Sequence, residues 1–200
     1  MRLKEAQIIA GRIRAEVLPY CEIIEVAGSI RRECPDVGDI EIVAVPKWEQ
    51  RRKPNSLFED LESVNLLHEH WATARALDWI QPGTSKIVPV PTPAPTARYW
   101  RGLVGGWAKV DIFLPDLLNY GWILMIRTGC ADFSQAMVTL AARRGTPSIG
   151  GWLTRDGVPI PVEWETDAFA QLGLSYIEPP ERDERAAQSL FKKRPGWVCS

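Results

Sequence analysis

Apolar residues at Leu3, Ala6, Ile8, Ile9, Ile13, Val17 and Leu18 recur at helical spacing with charges between them, which predicts a helix that Pro19 ends. Ile23 to Ala27 forms a short apolar strand broken at Gly28-Ser29, and Arg31 to Gly38 is a polar turn. Asp39 to Val45 alternates at first and then becomes continuously apolar, as a central strand does. Leu57 to Ile80 reads as one long helical segment. Ile87 and Val88 begin a strand that runs into the stiff, proline-rich stretch Pro89 to Pro95. Trp107 to Leu114 is a third apolar strand carrying a single acid, Asp111. Past Pro115 and Asp116 the pattern changes. Leu117 to Ile126 and Asp132 to Arg144 read as two helices joined across Thr128-Gly129. Trp152 to Ile160 is a hairpin turning at Asp156-Gly157, and Thr166 to Leu172 is a short helix closed by Gly173. The expected fold class is α+β. Residues 1–116 would form a mixed sheet with packed helices, and residues 117–200 a small helix-rich unit with a hairpin.

Composition narrows the classes of function. With 24 Lys+Arg against 25 Asp+Glu among 200 residues, the formal charge of −1 excludes a uniformly basic coat but leaves room for a local basic groove. The balance of 46% hydrophobic and 24% charged residues excludes wholesale disorder. No apolar run approaches the roughly 18–20 residues of a membrane span, and Met1 to Glu5 carries acid rather than an apolar signal core. A soluble, cytoplasmic chain with no membrane partner is the expectation. Cys21, Cys34, Cys130 and Cys199 are scattered, which argues against a disulfide framework or a Cys-rich zinc site. His68 and His70 sit two apart in the helical segment and point away from each other, as solvated helix residues rather than metal ligands.

The chemistry concentrates between Gly28 and Glu41. Asp39 and Glu41 stand at i and i+2 of a strand and so share a face. Two carboxylates side by side on an otherwise apolar strand repel each other and cost desolvation, for which a divalent cation is the simplest compensation. Asp111 would complete a set of three if its strand neighbours the first. Such hard oxygen donors suit Mg²⁺ or Mn²⁺, two of which can clamp an in-line phosphoryl displacement. The alternative is an exposed edge strand, against which Ile40, Ile42, Val43 and Val45 argue. Gly28-Ser29 offers backbone N–H groups and a hydroxyl to a phosphate chain, and Arg31 and Arg32 follow at once.

The run from Val26 to Arg32, followed by Gly38-Asp39-Ile40-Glu41-Ile42, resembles the nucleotidyltransferase motif of family X DNA polymerases. Gly83-Thr84-Ser85-Lys86 is similar to that family's Gly-x-x-Lys stretch, and Val110-Asp111-Ile112 to the strand bearing its third carboxylate. Tyr120-Gly121-Trp122, Thr128-Gly129 and Phe133 resemble the start of the family's thumb, and Leu172 to Arg182 its C-terminal motif. The resemblance spans roughly residues 20 to 185 in order. It implies a nucleotidyltransferase palm followed by a thumb, with catalytic and metal-binding roles for Asp39, Glu41 and Asp111. Asp111 would also accept the primer 3′-hydroxyl proton. It implies triphosphate and nucleotide contacts from Gly28, Ser29, Arg32, Gly38, Thr128 and Gly129, and a primer contact from Lys109. The implied cofactors are two Mg²⁺ ions, or Mn²⁺; the implied partners are a deoxynucleoside triphosphate and primed or gapped DNA, met by a monomer.

Departures from the family pattern matter too. Only 27 residues precede Gly28, so neither an amino-terminal lyase module nor helix-hairpin-helix fingers is expected. Glu41 replaces an aspartate. Ile126-Arg127 stands where an aromatic pair is usual, and Ser134 and Val138 where an amide and an arginine would touch the base pair, which implies inaccurate copying. The expected function is repair-type DNA synthesis across short gaps. A template-independent nucleotidyltransferase and a non-catalytic nucleic-acid-binding module are the rivals. Among the aromatics, Trp71, Trp79 and Trp122 read as core, whereas Trp100 and Trp107, beside Arg98 and Arg101, read as candidates for base stacking. Arg182, Arg185 and Lys192 to Arg194 form a tail that either tracks a DNA backbone or is simply solvated.

Overall fold

A computed structural model of the protein describes residues 1–53, 60–74, 78–80, 87–88 and 97–191. Ala6, Ala10, Ile13 and Val17 form the buried stripe of helix α1 (Leu3–Val17), which runs into a 3-10 turn containing Pro19. Strand β1 (Cys21–Val26) leads to a single helical turn, α2 (Gly28–Arg31), and then to β2 (Ile40–Pro46). Asp39 lies in the bend before β2 rather than in the strand.

The expected helix from Leu57 to Ile80 is a correction. Strands β3 (Trp48–Arg52) and β4 (Leu61–Asn65) pair as an antiparallel ribbon, and helix α3 takes only Leu66–Ala74. The boundary has a physical cause. The Asn65 side chain accepts a hydrogen bond from the His68 N–H at 3.0 Å, an N-cap that starts the helix there. Strands β5 (Asp78–Ile80), β6 (Ile87–Val88), β7 (Tyr99–Val104) and β8 (Ala108–Phe113) complete a six-stranded sheet in the order β1-β2-β8-β7-β5-β6. Only β2 and β8 run parallel among its neighbouring described strands, so the sheet is mixed as expected. Gly83 to Lys86, Pro89 to Pro95, Lys192 to Arg194 and Cys199 lie outside the described residues.

The alternation of strand residues divides the core of the sheet between its two faces. Ile40, Ile42, Val110, Ile112 and Trp100 face α1 and α3. Trp100 is therefore no stacking platform: it is buried, with its ring edge-on to Trp71 at 5.6 Å. Trp71 and Trp122 are core residues, while Trp107 stands exposed in the β7–β8 hairpin. The Trp79 side chain lies outside the described set. On the opposite face, Val43, Val45 and Phe113 meet Tyr120 and Leu124 of helix α4 (Tyr120–Thr128).

A second core is built from Trp122, Met125, Phe133, Met137, Leu153 and Phe169. It joins α4 to α5 (Ala131–Arg143), the small sheet of β9 (Ser148–Ile149), β10 (Trp152–Arg155) and β11 (Val158–Pro159), α6 (Glu165–Gln171) and α7 (Glu184–Ser189). The β10–β11 hairpin turns as its sequence predicts, with φ of 53° at Asp156 and 78° at Gly157, the paired left-handed residues of a tight turn. Among the described residues, no helix is long and apolar enough to cross a membrane.

Candidate active site

Strand register assembles the site. Glu41 pairs with Asp111 across the parallel β2–β8 junction, and Asp111 pairs with Arg101 across β8–β7. Two carboxylates and a guanidinium therefore stand in one row on the face of the sheet that α4 overhangs. Burial, then the charge of Asp39, pushes the Glu41 carboxyl up; Arg127 opposes this, Asp111 adds to it, Arg32 opposes it, and the group settles at about 7. Asp39 and Asp111 thus both act on Glu41.

Among the described residues, no three His, Cys, Asp or Glu side chains close into a group that could hold an ion. Asp111 is already engaged by other side chains. Arg101 grips both of its oxygens, Nε to Oδ1 at 2.7 Å and Nη2 to Oδ2 at 2.8 Å, and the Tyr99 hydroxyl donates to Oδ1 at 2.8 Å. The donor set still fits a hard divalent cation in chemistry and in backbone placement: oxygen ligands, like charges packed together, and two of the three in direct register.

Gly28 lies under this row. Its φ is +62°, and a Cβ there would collide with the Glu41 carboxylate. Ser29 is half-buried in the following turn, and Gly38 is exposed, with open space where a Cβ would stand. The arginine pair reaches across to the second core. Arg32 donates to the Thr128 carbonyl at 2.5 Å, and Arg31 to the Thr128 hydroxyl at 2.9 Å. Arg31 also holds Glu165 through two bonds of 2.7 Å, and Arg182 holds the same carboxylate at 2.6 and 3.3 Å. Gly129 follows with Phe133 and Ser134 closed over it, leaving no space for a side chain. Lys109 is exposed on β8, two residues before Asp111 and on the same side of the strand.

A cavity of about 510 Å³ opens over the row, lined by Glu41, Asp111, Arg101, Tyr99, Arg127 and the Gly150-Gly151 turn among others. The Arg127 guanidinium lies 3.9 Å from the centre of the Phe113 ring. Ser134 turns its hydroxyl inward onto the Ile126 carbonyl at 2.6 Å, and Val138 packs on the second core.

Sequence reasoning did not single out Tyr99 and Arg101 as partners of Asp111, nor Glu165 at all. The alternation of Tyr99, Arg101 and Leu103 against Trp100, Gly102 and Val104 carries the signal for the first pair. Glu165 has no local signal, since its partners lie far away in the chain. Arg182 is a correction: it is fully buried on Glu165 and so does not belong to a tail that tracks DNA. His70 stacks on Tyr20 with ring centres 4.2 Å apart.

A family model described as DNA polymerase beta thumb matches residues 123–183, less than half of the chain. Among curated proteins, none matches. The matched stretch holds most of the second core together with Thr128, Gly129, Glu165 and Arg182, and it supports a relationship between this chain and the family X polymerases.

Proposed function

We propose that the protein is a family X-like DNA polymerase that adds deoxynucleotides to a DNA primer 3′-hydroxyl, in short-gap repair-type synthesis of low fidelity. The observation that carries this reading is the pairing of Glu41 with Asp111 in register beneath a turn braced by Arg31 and Arg32, next to a stretch that matches a polymerase thumb. Asp39, Glu41 and Asp111 would hold two Mg²⁺ or Mn²⁺ ions, whose contribution is to neutralise charge on the triphosphate and the attacking oxygen. The primer 3′-oxygen attacks the α-phosphorus, its proton passes to Asp111, and the bond to the bridging oxygen breaks to release pyrophosphate. Gly28, Ser29 and Gly38 present backbone and hydroxyl groups to the triphosphate, and the open space around Gly38 suits a phosphate approaching its main chain. Thr128 and Gly129 flank the nucleotide, with Arg32 holding their turn in place. Lys109 meets the primer phosphate. Positioning and charge compensation do the catalytic work. Low fidelity follows from Val138, which carries no polar group, and from Ser134, whose hydroxyl proton is committed to the Ile126 carbonyl.

The grip of Arg101 on Asp111 favours a second reading, a DNA-binding module whose third carboxylate is permanently occupied. Primer extension on gapped, single-stranded and blunt substrates separates the two. Templated incorporation that Asp111→Asn abolishes while leaving DNA binding intact supports the polymerase. Binding without incorporation supports the module, and untemplated addition would move the assignment to a terminal transferase-like activity.

A further inference from the structure

Asp111 cannot serve a cation as it stands. Arg101 takes both carboxylate oxygens and Tyr99 takes one of them again, so three hydrogen bonds at 2.7, 2.8 and 2.8 Å fill most of the roughly four lone-pair directions the group offers. A guanidinium and a divalent cation on the same two oxygens would also repel each other. The contact is asymmetric in exposure: the Asp111 side chain is 8% exposed, whereas Arg101 is 47% exposed. The carboxylate is therefore fixed, and the arginine is the partner that can leave. It borders the cavity over the row, into which its long side chain can swing. Its planar fork matches a phosphate as well as it matches a carboxylate.

We propose that Arg101 is a positioning residue that masks Asp111 in the free protein and yields it to a divalent cation when a phosphate-bearing ligand engages the guanidinium. The inference rests on the reading of Asp39, Glu41 and Asp111 as cation ligands. Cation and phosphate ligand then bind with positive coupling, and by linkage each tightens the other by the same factor. The mask also keeps the free protein from closing its site around a cation before substrate arrives.

The test is Mn²⁺ affinity, read by electron paramagnetic resonance on the whole chain. Wild type, Arg101→Gln, Arg101→Lys and Asp111→Asn are each titrated alone and with saturating gapped DNA, using DNA without protein as the blank. Removing charge-assisted bonds of this kind should tighten Mn²⁺ binding by Arg101→Gln about 10- to 100-fold in the absence of DNA. Arg101→Lys, which keeps the charge but not the fork, should fall between that variant and wild type. DNA should tighten binding by wild type at least about tenfold and by Arg101→Gln hardly at all. Equal Mn²⁺ affinity in wild type and Arg101→Gln, with Asp111→Asn weakened, would overturn the mask while leaving the metal site standing. A tighter Arg101→Gln combined with no effect of DNA on wild type would overturn release by phosphate. Absence of Mn²⁺ binding in every variant would overturn the cation site and the mask together.

Discussion

A methyl group at position 28 would have to occupy the space of the Glu41 carboxylate, on a backbone whose φ of +62° L residues avoid. Gly28→Ala should therefore destabilise the fold by about 1–3 kcal/mol, measured as a lower urea midpoint. Glu41 itself should show up in the pH dependence of stability. Its carboxyl titrates at about 7 in the folded protein, against 4.5 for the ordinary group. Between those values the native state keeps a proton that the unfolded chain has lost, so this residue's contribution falls as pH rises. Glu41→Gln should match wild type below about pH 4 and exceed it by on the order of 2–3 kcal/mol above pH 7 in metal-free buffer. Urea midpoints at pH 4, 5.5 and 7.5 decide this, and a difference independent of pH would remove the raised carboxyl from the account.

Helix α6 depends on distant charge: its first residue, Glu165, is gripped by Arg31 of α2 and by Arg182. Burial alone would raise this carboxyl, but the hydrogen bonds from Arg31 and Arg182 hold it below its ordinary value. The sign is opposite to that of Glu41: the contribution is present above the unfolded value and is lost as pH falls through the folded one. Glu165→Ala leaves the fully buried Arg182 with an uncompensated charge and should cost about 3–5 kcal/mol at neutral pH in a denaturant titration. Elements whose own pattern specifies them were legible beforehand: the stripe of α1, the apolar run of β2 and the Asp156-Gly157 turn. The segment around Leu61 to Asn65 was not, because its few apolar residues suit either period and only pairing with β3 makes it a strand. The site divides in the same way. Glu41 and Asp111 announce themselves as acids on apolar strands, whereas Arg101 and Arg182 are ordinary surface-type residues until register or a partner 17 positions away gives them work.

For the whole molecule, a net charge of −1 means that any hold on DNA depends on local basic groups such as Arg98, Arg101 and Arg127 around the cavity and Lys109 beside it. Affinity should fall steeply with salt. Lys109→Ala should weaken binding alike for all sequences and reduce the log–log salt slope by about 1, as read by fluorescence anisotropy. An unchanged slope would take Lys109 off the phosphate path. A different consequence lies in α4. Tyr120 and Leu124 pack on Val43, Val45 and Phe113 of the sheet, while Trp122 and Met125 of the same helix belong to the second core. Neither core can melt without stripping one side of that helix. Despite its separate clusters, the protein should unfold in a single calorimetric transition whose van't Hoff and measured enthalpies agree. The amides of α4 should then be among the last to exchange with deuterium, opening only with the whole chain.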